Sequence, residues 1–213
     1  MSRCILPLVP SIPPPSRAEE PLYTLPATLR DLDGMRGAVI LLDWRWLRDN
    51  GRYDHYREAV GAGHPLFDAG ASDWVDLPLV LEHYRALDAL DMTQSEAIEV
   101  GRTVGPRIHG VFLNTLVRLA GQLGVGPWAA LGQGYKLWTR SFRGGGVASF
   151  KTTDRSARIE IVQSAIAQSK FFRASFIGVT AAGLEPFCKS AVVQERPEGR
   201  TSTSFVLRAS WEP

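Results

Sequence analysis

The sequence is poor in the residues that most often carry metal or covalent chemistry. Of its 213 residues only Cys4 and Cys188 are cysteine, at opposite ends of the chain and with no histidine at ligand spacing nearby. That excludes a disulfide scaffold, argues against a zinc site and points to a reducing, cytoplasmic setting. Cys188 reads as a small buried hydrophobe. The four histidines, His55, His64, His83 and His109, form no HxxxH or HExxH pattern, so no metal is expected. There is no Gly-x-Ser-x-Gly elbow, and Arg143-Gly144-Gly145-Gly146 lacks the Gly-Lys-Ser/Thr that completes a phosphate loop. A serine hydrolase and a nucleotide-binding protein are both disfavoured. No uncharged apolar run reaches ~18 residues, because Asp43, Arg45 and Arg48 interrupt the richest stretch, so no membrane span is expected. Pro7 and Pro10 break the N-terminal apolar run before a signal-peptide core could form. A net charge of +2, from 24 basic and 22 acidic side chains, falls short of the basic surface that a nucleic-acid binder needs.

What remains is an ordinary globular composition, 45% apolar and 22% charged, in a chain long enough to bury a core without staples. Residues 1–30 carry Pro7, Pro10, Pro13, Pro14, Pro15, Pro21 and Pro26 and read as an extended or disordered arm, with a single folded domain over 31–213. Gly37 to Leu42 is a strand or the start of a helix, with Asp43 able to cap the segment after it. Arg52 to Val60 is a short helix closing at Gly61, and Leu79 to Leu90 is amphipathic, with His83, Tyr84 and Leu87 on its apolar face. A longer helix starts near Ser95, capped by Thr93 or Ser95, and Pro106 kinks or splits it. Gly126-Pro127-Trp128 opens a helix through Trp138. Arg158 to Ala167 fits strand or helix, Phe176-Ile177-Gly178 and Gly183 read as turns, and Ala191–Glu195 with Thr203–Arg208 forms a β-hairpin. Helices in the middle and an antiparallel sheet at the C-terminal end predict an α+β domain.

Aromatic residues are the main candidates for a site. Phe112, Trp128, Tyr135, Trp138, Phe142, Phe171, Phe172 and Phe176 either line an apolar cavity for a hydrophobic small molecule or simply fill the core. His109, after Pro106 on the long apolar helix, is the histidine best placed to line such a cavity.

In order along the chain, Met35-Arg36-Gly37-Ala38-Val39-Ile40 with Asn50-Gly51, Trp74-Val75-Asp76-Leu77-Pro78, Val100-Gly101-Arg102, Phe112-Leu113-Asn114-Thr115, Arg140-Ser141-Phe142 and the strand Phe205 to Trp211 resemble a myxobacterial paralogous-domain family of uncharacterised proteins. That family is similar to the superfamily of haem-NO-binding, four-vinyl-reductase-type and TRAPP Bet-type domains. The resemblance implies a compact α+β domain, helices packed on an antiparallel sheet around an apolar pocket, often dimerising through its helices. Such domains sense or hold a ligand, and together with the aromatic set this leads to the expectation of a non-catalytic ligand-binding or sensory domain, a homodimer, with Phe112, Leu116, Trp128, Tyr135, Trp138 and Phe142 around a hydrophobic ligand and Arg102 and His109 orienting its polar group. The haem-binding branch uses a proximal histidine followed by Tyr-x-Ser-x-Arg, which the sequence does not reproduce, so no cofactor is expected and haem is disfavoured. The alternatives are a protein-interaction scaffold, or an enzyme acting on a hydrophobic metabolite with His109 or Glu160 as its acid–base group.

Overall fold

The computed structural model describes residues 19–105, 107 and 126–213. A short strand β1 (Glu20–Pro21) precedes β2 (Gly34–Arg36), which runs straight into helix α1 (Gly37–Asp49). The apolar run from Gly37 is therefore helical throughout, and Asp43 lies inside α1 rather than capping a helix. Helix α2 (Tyr53–Val60) stops at Gly61, whose φ of 99° suits glycine. Strand β3 (Trp74–Asp76) leads into α3 (Leu77–Asp88). Residues 94–105, labelled α4, are helical and begin on a capping box: the Glu96 amide donates to Thr93 Oγ1 and the Thr93 amide to the Glu96 carboxylate. The expected kink at Pro106 lies outside the described residues.

The single helix expected from Gly126 is two, α5 (Pro127–Leu131) and α6 (Gly134–Ser141). Strand β4 (Phe142–Arg143) comes next, and Gly144 and Gly145, at φ 76° and 60°, turn the chain into β5 (Gly146–Thr153). Residues Arg158 to Val162 fall in strand β6 (Ser156–Val162), with Ala157, Ile159 and Ile161 buried in the core. Helix α7 (Lys170–Leu184) replaces the turns expected at Phe176–Gly178 and Gly183. The hairpin is β7 (Ser190–Arg196) with β8 (Phe205–Glu212). These strands form a five-stranded antiparallel sheet in the order β1-β5-β6-β8-β7, beside a small sheet β3-β2-β4 that belongs to the helical half. The arm residues after 18 lie on the large sheet: the Leu22 amide donates to Ser149 O and the Tyr23 hydroxyl to Val147 O. The architecture is α+β, with helices on an antiparallel sheet.

Helix α7 ties the two halves together. Its N-terminus is capped by Ser169, whose Oγ accepts from the Phe172 amide and donates to Asp88 Oδ1 at 3.0 Å. Asp88, at the end of α3, also accepts the Phe171 amide at 2.7 Å, a carboxylate placed where helix N-terminal donors are free. Farther along, α7 crosses α4 at backbone contact. A Cβ on Gly101 would overlap the Ser175 carbonyl oxygen, and one on Gly178 would overlap that of Ile98. A glycine read as a turn signal is thus a packing residue. Gly178→Ala is expected to lower the unfolding free energy by about 2 kcal/mol, through overpacking against backbone that cannot move aside. Gly183→Ala, where a Cβ meets nothing within 4 Å, should raise it by about 0.5 kcal/mol. Urea denaturation of the two variants checks the pair.

Candidate functional site

Between α4, α6, α7 and the large sheet lies a cavity of about 140 Å³, close to the engineered cavities of about 150 Å³ that accept benzene. Its wall is mostly apolar, with Val104, Leu131, Trp138, Phe142, Phe172 and Phe176 contributing. Trp138 is the fixed point of this wall. It stacks on Phe142 at 4.2 Å between centroids, meets Phe176 edge-on at 6.1 Å, and its indole N–H donates to Gly144 O at 2.9 Å. The two left-handed glycines after β4 put that carbonyl within reach.

Six polar side chains lie on the lining, Ser175 and Thr180 of α7 among them, and the other four bear on it in different ways. The Ser141 hydroxyl is buried and has no hydrogen-bond partner among the described residues, a costly condition that needs a reason. Tyr84 donates its hydroxyl to the Met35 sulfur at 3.5 Å, and burial pushes its phenol well above the ordinary 10.0. The Ser149 hydroxyl, on β5, is likewise buried and has no hydrogen-bond partner among the described residues. Asp43 Oδ2 lies 3.1 Å from His83 Nε2, and burial raises its carboxyl above the usual 3.8, against the lowering by His83.

The residues expected around a ligand are dispersed. Trp138 and Phe142 line the cavity. Trp128 instead packs edge-on against Trp211 at 4.6 Å, and Tyr135 faces Tyr23 at 6.4 Å. Arg102 pairs with Glu185 at the surface. His109, Phe112 and Leu116 lie outside the described residues. Glu160 sits on β6 against Arg158, away from the cavity. Sequence reasoning did not single out Asp43, Tyr84 or Ser141. A signal existed for the first: Asp43 falls one helical turn after Val39 and Ile40 and four residues before Leu47, on the apolar stripe of α1, where an acid is out of place.

No family model matches the chain, and no curated protein matches it by sequence. Solved structures do. An Fe(II) unliganded H-NOX protein from K. algicida, the A71G mutant, superposes with a TM-score of 0.65 at 12% identity, covering 84% of this chain and 97% of that one. The chain has the H-NOX fold. An oxygen-binding H-NOX domain related to soluble guanylate cyclases aligns at a TM-score of 0.55 and 14% identity over 84% and 96% of the two chains. A structure described as modulating haem redox potential through protein-induced porphyrin distortion gives 0.56 at 14% identity over the same shares. Identities this low establish the shared architecture and leave the ligand to the residues. Among the described residues no helix is long and apolar enough to cross a membrane.

The expectation that no cofactor is involved, with haem disfavoured, needs correction. The H-NOX-fold neighbours include proteins studied for their haem, so haem returns as a candidate. The Tyr-x-Ser-x-Arg motif is also less remote than expected: in Thr139-Arg140-Ser141-Phe142-Arg143 its serine and arginine are present, and only the tyrosine is replaced. The orphaned Ser141 hydroxyl suits a porphyrin carboxylate in kind. The Arg143 guanidinium, though, is engaged by Asp33 and Asp76, and no imidazole among the described residues lines the cavity. A cavity of about 140 Å³ among the described residues is too small for a porphyrin, so the described residues fit haem only in part.

Ionisation of the buried phenols gives this region a signature in base. Burial pushes the Tyr23 phenol from 10.0 to about 12 and raises those of Tyr56 and Tyr84 as well. The unfolded chain therefore loses these protons first, and unfolding free energy is expected to fall as pH rises from about 10. For Tyr23 alone the fall ends near pH 12. Tyr23→Phe should flatten the loss in that window, as measured by urea denaturation at stepped pH.

Proposed function

We propose that this H-NOX-fold chain is a non-catalytic ligand-binding or sensory domain that holds a hydrophobic molecule in the cavity walled by Trp138, Phe142, Phe172 and Phe176. The observation that carries the reading is the unpartnered Ser141 hydroxyl, which with that of Ser149 is buried in a mostly apolar lining. A buried hydroxyl without a partner is destabilising in the empty protein and is satisfied when a ligand supplies the missing hydrogen bond. A plain core would carry alanine at this position at no loss. The shared fold with haem proteins supports the sensory reading and makes haem the first ligand to offer. In it, Ser141 would face a polar edge of the ligand and the aromatic wall its apolar body. The homodimer implied by the family resemblance belongs to the same proposal and is tested by light scattering on the purified protein.

Native mass spectra and an absorbance scan of the freshly purified chain test the reading directly. A bound mass, or a Soret band on adding haem, is the expected result. A chain that takes up neither haem nor any apolar probe overturns it. Ser141→Ala separates binding from folding. It removes an unsatisfied group, so thermal stability should be unchanged or slightly higher, while ligand affinity should fall by about threefold to tenfold.

A further inference from the structure

Asp43, His83 and Tyr56 form a buried chain that reaches the cavity from behind. The Tyr56 hydroxyl lies 2.8 Å from His83 Nδ1, and His83 Nε2 lies 3.1 Å from Asp43 Oδ2. Tyr56 and His83 are 0% exposed and Asp43 4%, and the three come from α2, α3 and α1 respectively. One tautomer satisfies the set: Nε2–H donates to the carboxylate and Nδ1 accepts the tyrosine proton. Both ring nitrogens are then occupied and the imidazole cannot turn. Asp43 alone of the three lines the cavity, and among the described residues its Oδ1 accepts no hydrogen bond.

Of the other polar groups of the wall, the Ser141 and Ser149 hydroxyls are unpartnered and the rest are engaged. Ser175 and Thr180 return their hydroxyl protons to Phe172 O and Phe176 O on their own helix, and Tyr84 donates to Met35. No lysine, arginine or histidine stands among the described lining residues. Among its described lining residues the cavity thus presents an acceptor held from behind and no cation to neutralise it. Stability does not explain the arrangement, since the aromatic cluster of Trp44, Tyr53 and Phe67 around Tyr56 would pack equally well on an apolar trio. Building on the proposed ligand-binding reading, we infer that Asp43, positioned by His83 and Tyr56, is the acceptor for a hydroxyl or amine donor on a small, ring-sized apolar ligand. The volume of about 140 Å³ limits that ligand to about one ring and its substituent.

The test uses the full chain and three probes of one size: toluene, benzyl alcohol and benzaldehyde, titrated by calorimetry. Benzyl alcohol donates a hydrogen bond and benzaldehyde only accepts, so the alcohol should bind roughly tenfold tighter. Asp43→Asn keeps an oxygen on the His83 proton and turns an amide NH2 toward the cavity, so the order should reverse, with benzaldehyde the tighter. If toluene binds but alcohol and aldehyde are equal, or if Asp43→Asn keeps the alcohol preference, the anchor is refuted while the ligand-binding reading stands. If none of the three binds to the ligand-free chain, the small-ligand anchor is refuted, and the ligand-binding reading falls with it only if haem is not taken up either. Exclusion of all three by a bound porphyrin refutes the small-ligand assignment alone. Should Asp43→Asn fail to fold, the alcohol-to-aldehyde ratio of the unaltered chain decides the matter.

Discussion

The crossing of α4 and α7 is the constraint on which the rest of the structure depends. Gly101 and Gly178 leave no room for side chains between the two backbones, so the helices meet at the closest separation polypeptide allows. The same helices also wall the cavity, through Val104 and Gly105 on one and Phe172, Phe176 and Val179 on the other. Close approach at one point and open space beside it have a single cause: two rigid cylinders that touch at glycines diverge on either side, and the larger side chains there do not fill the gap. The α7 end of the crossing is fixed independently by Asp88, which binds the Ser169 hydroxyl and the Phe171 amide. Cavity size is therefore set by backbone contacts as much as by the side chains that face it.

Polarity is distributed around this space in an uneven way. The sheet and α7 offer aromatic and aliphatic surface, and the α7 hydroxyls are satisfied within their own helix. The helical half contributes Asp43, backed by two more buried polar residues. A network of this kind is tolerated because its internal atoms have partners, and it holds its members in one conformation. Ser141, just before β4, breaks that rule. The result is a mostly apolar hollow bordered by Asp43 and by the unpartnered hydroxyls of Ser141 and Ser149, the mix that the proposed ligand-binding site calls for.

The C-terminal hairpin was legible because strand alternation and a Pro-Gly turn are local signals, and β7 and β8 pair as those signals require. Helices α2 and α3 were legible for the same reason. Helix α7 was not: Gly178 and Gly183 lower local helix propensity, and the compensation comes from a partner helix some eighty residues earlier and from Asp88. The break between α5 and α6 at Gly132 and Gln133 was hidden by an aromatic pattern that continues in phase across it. Of the aromatic set, Trp138, Phe142, Phe172 and Phe176 reach the cavity, whereas Trp128 and Tyr135 pair with Trp211 and Tyr23. Nothing in their spacing distinguishes the two groups, because apart from Phe142 on β4 both lie on helices.

The sequence by itself determined the class of the protein: an α+β chain with an ordinary core, a proline-rich N-terminal arm, and none of the common motifs for zinc, nucleotide or serine chemistry. Those properties depend on composition and on periodicities of two and 3.6 residues, which a linear reading captures. Only the tertiary structure decided which aromatics face open space, that glycines serve helix contact, and that an aspartate inside an apolar helix meets a histidine forty residues away. These are distances between elements, and they depend on how the elements pack and not on the order in which they are written.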